Sequence, residues 1–208
     1  MLKVFYAGVN GLTADADLYM LSEYRLNRLE KTARPEAKAQ SLAAEMLLIR
    51  AVRSVYPDAE LPLRIIAGEF GKPELRGIEL EFSLSHSAGM VLCAISDKRV
   101  GADIQMRAAY KAALAERFFT KKEAAAIARA ADKNKMFTRT WAVKESYLKL
   151  LGTGMHRPLS SFDVKCDNGY FSIVGAPECR VSVTELGDYT VAVSALTAEL
   201  PEFIGVRL

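Results

Sequence analysis

The chain has 208 residues, 50% of them hydrophobic and 25% charged, with 28 Lys and Arg against 25 Asp and Glu for a formal net charge of +3. This is the composition of a compact globule, and the charge is too small to argue for nucleic acid while not repelling an acidic partner. The length admits one large domain or two small ones, and no apolar run reaches the roughly 20 residues of a membrane span.

Residues 3–9 (KVFYAGV) read as a first strand, followed by two helical stretches at about 15–31 and 35–55, the second opened by Pro35 in its first turn. The opening segment lacks the basic start and long apolar centre of a signal peptide, so a cytoplasmic protein is expected. Short β-rich runs then cover 63–105 (RII, ELEFSLS, MVLCAIS, RVGADIQ), broken by GEFGKP and HSAG. Thr120 with Glu123 forms a capping box that opens a helix, and a longer helix over 133–151 ends at Gly152. Strands near 162–166, 170–174, 180–186 and 189–196 complete the reading. The order strand, two helices, strands thus occurs twice, with a joint near residue 100. This predicts two similar α+β halves, 1–100 and 101–208, with a cleft between them.

Cys93, Cys166 and Cys179 are odd in number and lack C-x-x-C spacing, so they read as reduced thiols. With His86 and His156 the only histidines, oxygen ligands and hence magnesium are favoured for any metal. On the helix DKNKMFTRTWAVKESYLKLLGTG, residues Phe137, Trp141, Leu148 and Leu151 trace an apolar stripe, and Lys144 interrupts it. Two readings stand: its stem packs on the core while the ammonium reaches water, or a desolvated lysine faces a cleft, ready to meet phosphate or act as a base. Glu145 and Lys149 lie one turn apart, as in an ordinary helix pair. Asp103, two residues after Gly101 on a strand, can however converge with Glu145 on one hard cation. Ser83, Ser85, His86 and Ser87 sit at a strand end where hydroxyls and imidazole could hold phosphate; a serine hydrolase is disfavoured because the G-x-S-x-G elbow is absent. Arg25, Arg28, Lys31, Arg34 and Lys38 repeat a cation every three or four residues, either a solvated face or a seat for a polyanion.

Taken together, GKP at 71–73, FSLSHS at 82–87, VGADIQ at 100–105, FFTKKE at 118–123 and WAVKESYLKLLGTG at 141–154 resemble the 4′-phosphopantetheinyl transferase superfamily. Their order and spacing match its long, surfactin-synthetase-activating type across roughly residues 25–165. The resemblance implies a monomeric pseudo-dimer that transfers phosphopantetheine from coenzyme A to a serine of an apo-acyl or peptidyl carrier protein. It further implies magnesium dependence and release of 3′,5′-ADP. By the same resemblance Asp103 and Glu145 are metal ligands, with Gln105 or a water completing the shell, and Lys144 and Lys149 contact the pyrophosphate. Ser85 and His86 lie near the 3′-phosphate and pyrophosphate, Lys72 on the nucleotide wall, and Arg25 and Arg28 at the 3′-phosphate. Glu145, Lys144 and Lys149 are the catalytic set, with the base assigned to Glu145, to Lys144 or to water.

Two positions depart from the family pattern. Gln105 stands where a second acid is usual, and Ser41 where an arginine is common, with Lys38 one turn earlier as a substitute. Carrier docking is expected at Arg107, Arg117, Phe118, Lys121 and Lys122. The competing functions are a coenzyme A-binding regulatory module without transfer activity and a metal-dependent phosphodiesterase.

Overall fold

A computed structural model describes residues 1–9 and 18–208 and has an α+β architecture. Its first sheet carries β1 (Leu2–Gly8), and a short 3-10 turn over Leu18–Met20 precedes α1 (Glu23–Glu30) and α2 (Pro35–Arg53). The first helical stretch expected from about residue 15 therefore begins outside the described residues and breaks at Ser22, whose side chain caps α1 by accepting from Arg25 N. Pro35 occupies the first turn of α2 as its missing N–H allows. A small hairpin, β2 (Ile65–Ala67) with β3 (Pro73–Leu75), leads into β4 (Glu81–Ser87), β5 (Met90–Ser96) and β6 (Val100–Met106).

Helices α3 (Ala112–Phe118), α4 (Lys121–Arg129) and α5 (Lys133–Leu151) follow, then the hairpin β7 (Val164–Asp167) with β8 (Tyr170–Ile173), and finally β9 (Arg180–Leu186), β10 (Tyr189–Ala195) and β11 (Glu202–Gly205). The capping box at Thr120 and Glu123 forms on both sides, and α5 closes at Gly152 in the left-handed conformation, φ 75°, which glycine adopts without strain. Neither α3 nor β11 was expected from the sequence pattern.

One main sheet runs β11-β1-β5-β4 and the other β6-β10-β9. Strand alternation sorts their faces. Phe5, Phe82, Val91, Cys93 and Ile95 pack against α2, while Leu2, Val4, Leu92 and Ala94 face Val100, Ala102, Ile104, Val191 and Val193 of the second sheet. On the far side of that second sheet, Ala192 joins the core under α5. The order of layers is α2, sheet, sheet, α5, and each outer helix has 19 residues. Strand β11 comes from the end of the chain but pairs in parallel with β1, so the first sheet draws on both ends of the described sequence.

Gly101 sets how closely α5 approaches β6. A Cβ built there would lie 2.0 Å from Ser146 O and 2.2 Å from Leu150 N, distances that no side chain tolerates. The absent side chain lets the helix backbone rest directly on the strand, and it delivers Glu145 and Lys149 beside Asp103. No helix of the described residues is long and apolar enough to cross a membrane.

Candidate active site

Asp103 is 2% exposed on the α5 side of β6, and three neighbours hold its carboxylate. Ser85 Oγ donates to Oδ1 at 2.7 Å, Lys149 Nζ to the same oxygen at 2.6 Å, and the Gln105 amide to Oδ2 at 2.9 Å. Lys149 therefore pairs across to the strand and not along its own helix with Glu145. Burial raises the protonation constant of Glu145 first, the Asp103 charge adds to the rise, and Lys149 opposes it. The charge of Asp103 thus reaches the Glu145 carboxyl.

A cavity of about 290 Å³ lies beside this cluster, between residues of α1 and β4 on one side and the end of α5 on the other. Arg25, Arg28, Lys72, His86 and Lys149 line it, and no acidic residue does. Tyr24 and Phe70 add aromatic walls. His86 titrates below its usual range through partial loss of solvent, then through the charge of Lys149; Asp103 pulls it up, and Arg25 and Arg28 push it further down. Lys72 is likewise lowered by burial, its ammonium meeting Val100 O at 3.1 Å and Glu81 at 3.7 Å. A larger open groove of about 1060 Å³ along residues 55–65 mixes Glu23, Asp58 and Glu60 with Arg64 and Arg76, and none of the groups just described reaches it.

The cationic series on the first two helices divides. Arg25 is buried, with Nε on Glu45 Oε2 and Nη1 on Ser41 Oγ, both at 2.9 Å. Ser41, the position where an arginine was missed, thus anchors an arginine from the neighbouring helix. Glu45, itself fully buried, also accepts from Ser22 N at 2.6 Å and ties α1 to α2. Arg28 stays exposed against Tyr24. The expectation for Lys38 needs correction: it is exposed on the first turn of α2 and does not line the cavity.

Lys144 also requires correction. Neither reading of it holds, because its ammonium reaches neither water nor the cavity. The side chain is 0% exposed, with Nζ 2.7 Å from Glu123 Oε1, 2.6 Å from Phe162 O and 4.1 Å from the centre of the Phe162 ring. Burial lowers its protonation constant and Glu123 opposes that shift. The physical reason is helical geometry: one residue of rotation, about 100°, turns Lys144 away from the face of Glu145 and toward α4, which presents the buried Glu123. That carboxylate also takes Thr120 N at 2.8 Å and Val164 N at 2.6 Å. Sequence reading found Glu123 as a cap and missed it as an ion partner; an unmatched lysine in an apolar stripe was the available signal.

The Ser85 hydroxyl is engaged by Asp103 and by Ile104 N, and the residue does not line the cavity. Gln105 serves in this structure as an amide donor to Asp103. Of the proposed docking residues, Arg107 and Lys122 make long ion pairs with Asp132 and Asp163, at 4.0 and 3.9 Å, and Lys121 is exposed. Arg117 lies over Phe118, whose ring packs edge-on against Trp141.

The buried Asp103 and the half-buried Glu145 thus adjoin a cavity lined by cations. Residues 99–194 match the 4′-phosphopantetheinyl transferase superfamily. The chain is 30% identical over 173 residues to the 4′-phosphopantetheinyl transferase ffp of Bacillus subtilis, covering 79% of this chain and 77% of that protein. It is 29% identical over 174 residues to the 4′-phosphopantetheinyl transferase Sfp of Bacillus subtilis strain 168, with the same coverage of 79% and 77%. Against the 4′-phosphopantetheinyl transferase gsp of Aneurinibacillus migulanus it is 33% identical over 125 residues, 59% of this chain and 52% of that one. The chain belongs to the 4′-phosphopantetheinyl transferase superfamily.

Proposed function

We propose that this 4′-phosphopantetheinyl transferase moves the phosphopantetheine arm of coenzyme A onto a serine hydroxyl of an acyl or peptidyl carrier protein, with 3′,5′-ADP as the other product. The observation that carries this reading is the cavity lined by Arg25, Arg28, Lys72, His86 and Lys149 without an acidic residue, joined to Asp103 through Lys149. A ligand bearing both a 3′-phosphate and a pyrophosphate matches such a wall in charge. In this assignment the 3′-phosphate rests on Arg28, His86 and the outer side of Arg25, and the nucleotide stacks along Tyr24 and Phe70 near Lys72. The pyrophosphate then meets Lys149.

Asp103, Glu145 and the Gln105 amide oxygen form an oxygen donor set that suits magnesium, which takes one or two carboxylates and keeps several waters. The fit rests on Asp103 and Gln105 sharing the face of β6 against which Gly101 seats the part of α5 that carries Glu145. Among the described residues no third acid, histidine or cysteine joins them. Bound there, magnesium would gather pyrophosphate oxygens and offset their charge as the bridging P–O bond breaks. Glu145, half-buried on α5 beside Asp103, is the base that takes the carrier serine proton, directly or through a water, as that oxygen attacks the β-phosphorus. The enclosure of the Lys144 ammonium against Glu123 supports Glu145 over Lys144 in that role. Lys149 neutralises the departing 3′,5′-ADP.

The two layered sheets support a pseudo-dimer with halves 1–100 and 101–208, the first gripping the nucleotide and the second running the reaction, with β11 returning to the first. The protein acts as a monomer in the cytoplasm, and the carrier docks over Arg107, Arg117, Phe118, Lys121 and Lys122. The test is incubation with coenzyme A, magnesium and a broad panel of apo-carriers, read by intact carrier mass. A phosphopantetheine increment lost in Asp103→Ala and Glu145→Ala is expected. Unmodified carriers across the panel would sink the reading, and free phosphopantetheine in their place would indicate a phosphodiesterase.

A further inference from the structure

Among the described residues strand β6 pairs with β10 alone, at the edge of its sheet, so every second N–H of β6 points away from that sheet. Three of these are met by hydroxyls from β4 of the other sheet: Ala102 N by Ser83 Oγ at 2.9 Å, Ile104 N by Ser85 Oγ at 3.2 Å and Met106 N by Ser87 Oγ at 3.0 Å. The period-two serines of FSLSHS thus bridge the two sheets, side-chain oxygens standing where a neighbouring strand would offer carbonyls. Alternation along β4 sends Phe82, Leu84 and His86 to the opposite face, and these line the cavity together with Ser83, whereas Ser85 and Ser87 do not.

Only the middle rung has a partner in the reacting cluster. Ser85 is 6% exposed; its oxygen accepts from Ile104 N and its single proton is aimed at Asp103 Oδ1, 2.7 Å away. Phosphate oxygens only accept hydrogen bonds, so a hydroxyl whose one proton is already held by a carboxylate has nothing to give them. We propose that Ser85 is a positioning residue: it fixes the Asp103 carboxylate to the joint between the sheets and so keeps the carboxylate cluster in register with the cation-lined cavity. This rests on the assignment of Asp103 to the transfer site.

The experiment compares Ser85→Ala, Ser85→Cys and Ser87→Ala with the parent protein, measuring kcat and KM on an apo-carrier, coenzyme A affinity by calorimetry without divalent ions, and thermal midpoint. Loss of a hydrogen bond to a charged group corresponds to at least about a tenfold effect. Ser85→Ala is expected to lower kcat by about tenfold while coenzyme A affinity stays within about twofold. Ser87→Ala is expected to lower the midpoint and leave kcat alone. Ser85→Cys, close in shape and a weaker donor, gives the same split to a smaller degree and serves if the alanine variant does not fold. A tenfold loss of coenzyme A affinity at unchanged kcat would overturn the proposal in favour of phosphate contact. An equal fall of kcat in Ser87→Ala would overturn it in favour of packing alone. Full activity in Asp103→Ala would instead remove the underlying site assignment, a result that neither serine variant can mimic.

Discussion

Lys149 Nζ lies 2.6 Å from Asp103 Oδ1, joining the last turn of α5 to β6 across two elements. Asp103 is almost fully enclosed, so removing Lys149 leaves a buried carboxylate with hydrogen bonds from Ser85 and Gln105 but without this countercharge, a change that costs about 2–5 kcal/mol in comparable pairs. Lys149→Met is expected to lower stability within that range and to abolish measurable transfer. Lys149→Arg should fold with less loss and retain weak activity. Denaturant unfolding together with the carrier mass assay checks both; a fully active Lys149→Met would remove the lysine from the reaction.

Lys144 and Glu123 form the other buried pair, away from the cavity. Lys144→Met should destabilise by about 3–5 kcal/mol, and Lys144→Met with Glu123→Gln should recover part of that loss, because the amide keeps an acceptor for Thr120 N and Val164 N without an unpaired charge. Coenzyme A affinity of the folded fraction should be unchanged. A marked loss of affinity in the single variant would return Lys144 to the ligand contacts.

At Gly101 the prediction is steric. Gly101→Ala must push α5 off β6, since its Cβ would meet backbone atoms that cannot turn aside. A loss of about 1–3 kcal/mol or more is expected, with transfer activity falling further than stability because Glu145 and Lys149 move with the helix. Equal stability by chemical denaturation would contradict the close approach.

His86 supplies the pH dependence. Its folded proton affinity is depressed, so as pH falls through about 6.5 the unfolded chain takes up a proton that the folded chain refuses, and stability declines from there downward. His86→Gln should remove that part of the acid slope. Binding a phosphate-bearing ligand beside the ring should raise its affinity and draw in a proton, seen near pH 6 as a buffer-dependent calorimetric enthalpy. Its absence in the parent protein would separate His86 from the ligand.

Gln105→Glu tests the cation site. Its amide now donates to Asp103 Oδ2 at 2.9 Å, and a carboxylate there would lose that bond and repel Asp103. Without magnesium the variant should melt below the parent; with saturating magnesium the gap should narrow or reverse, because ligand binding to the folded state adds stability. The same magnesium shift in both proteins would place Gln105 outside the donor set.

Local signals were legible because they depend on neighbours in sequence. Thr120 with Glu123, Pro35 and Gly152 mark helix ends by capping chemistry confined to a few residues, and the alternation in FSLSHS and VGADIQ marks strands whatever lies opposite. The same motifs, by their spacing, pointed to the family. Partner choice was not legible in that way. Whether Lys149 bonds Glu145 on its own helix or Asp103 on β6, whether Lys144 faces a cleft or Glu123, and whether Ser85 gives its proton to phosphate or to Asp103 depend on side chains from 18 to 46 residues away in the chain. Residue type alone therefore determined that basic and acidic groups would gather in this protein, along with the elements that carry them. Tertiary packing decided which charges meet, because burial makes each unpaired group costly and leaves only the pairings that the apposed sheets and the close seat of α5 on Gly101 allow.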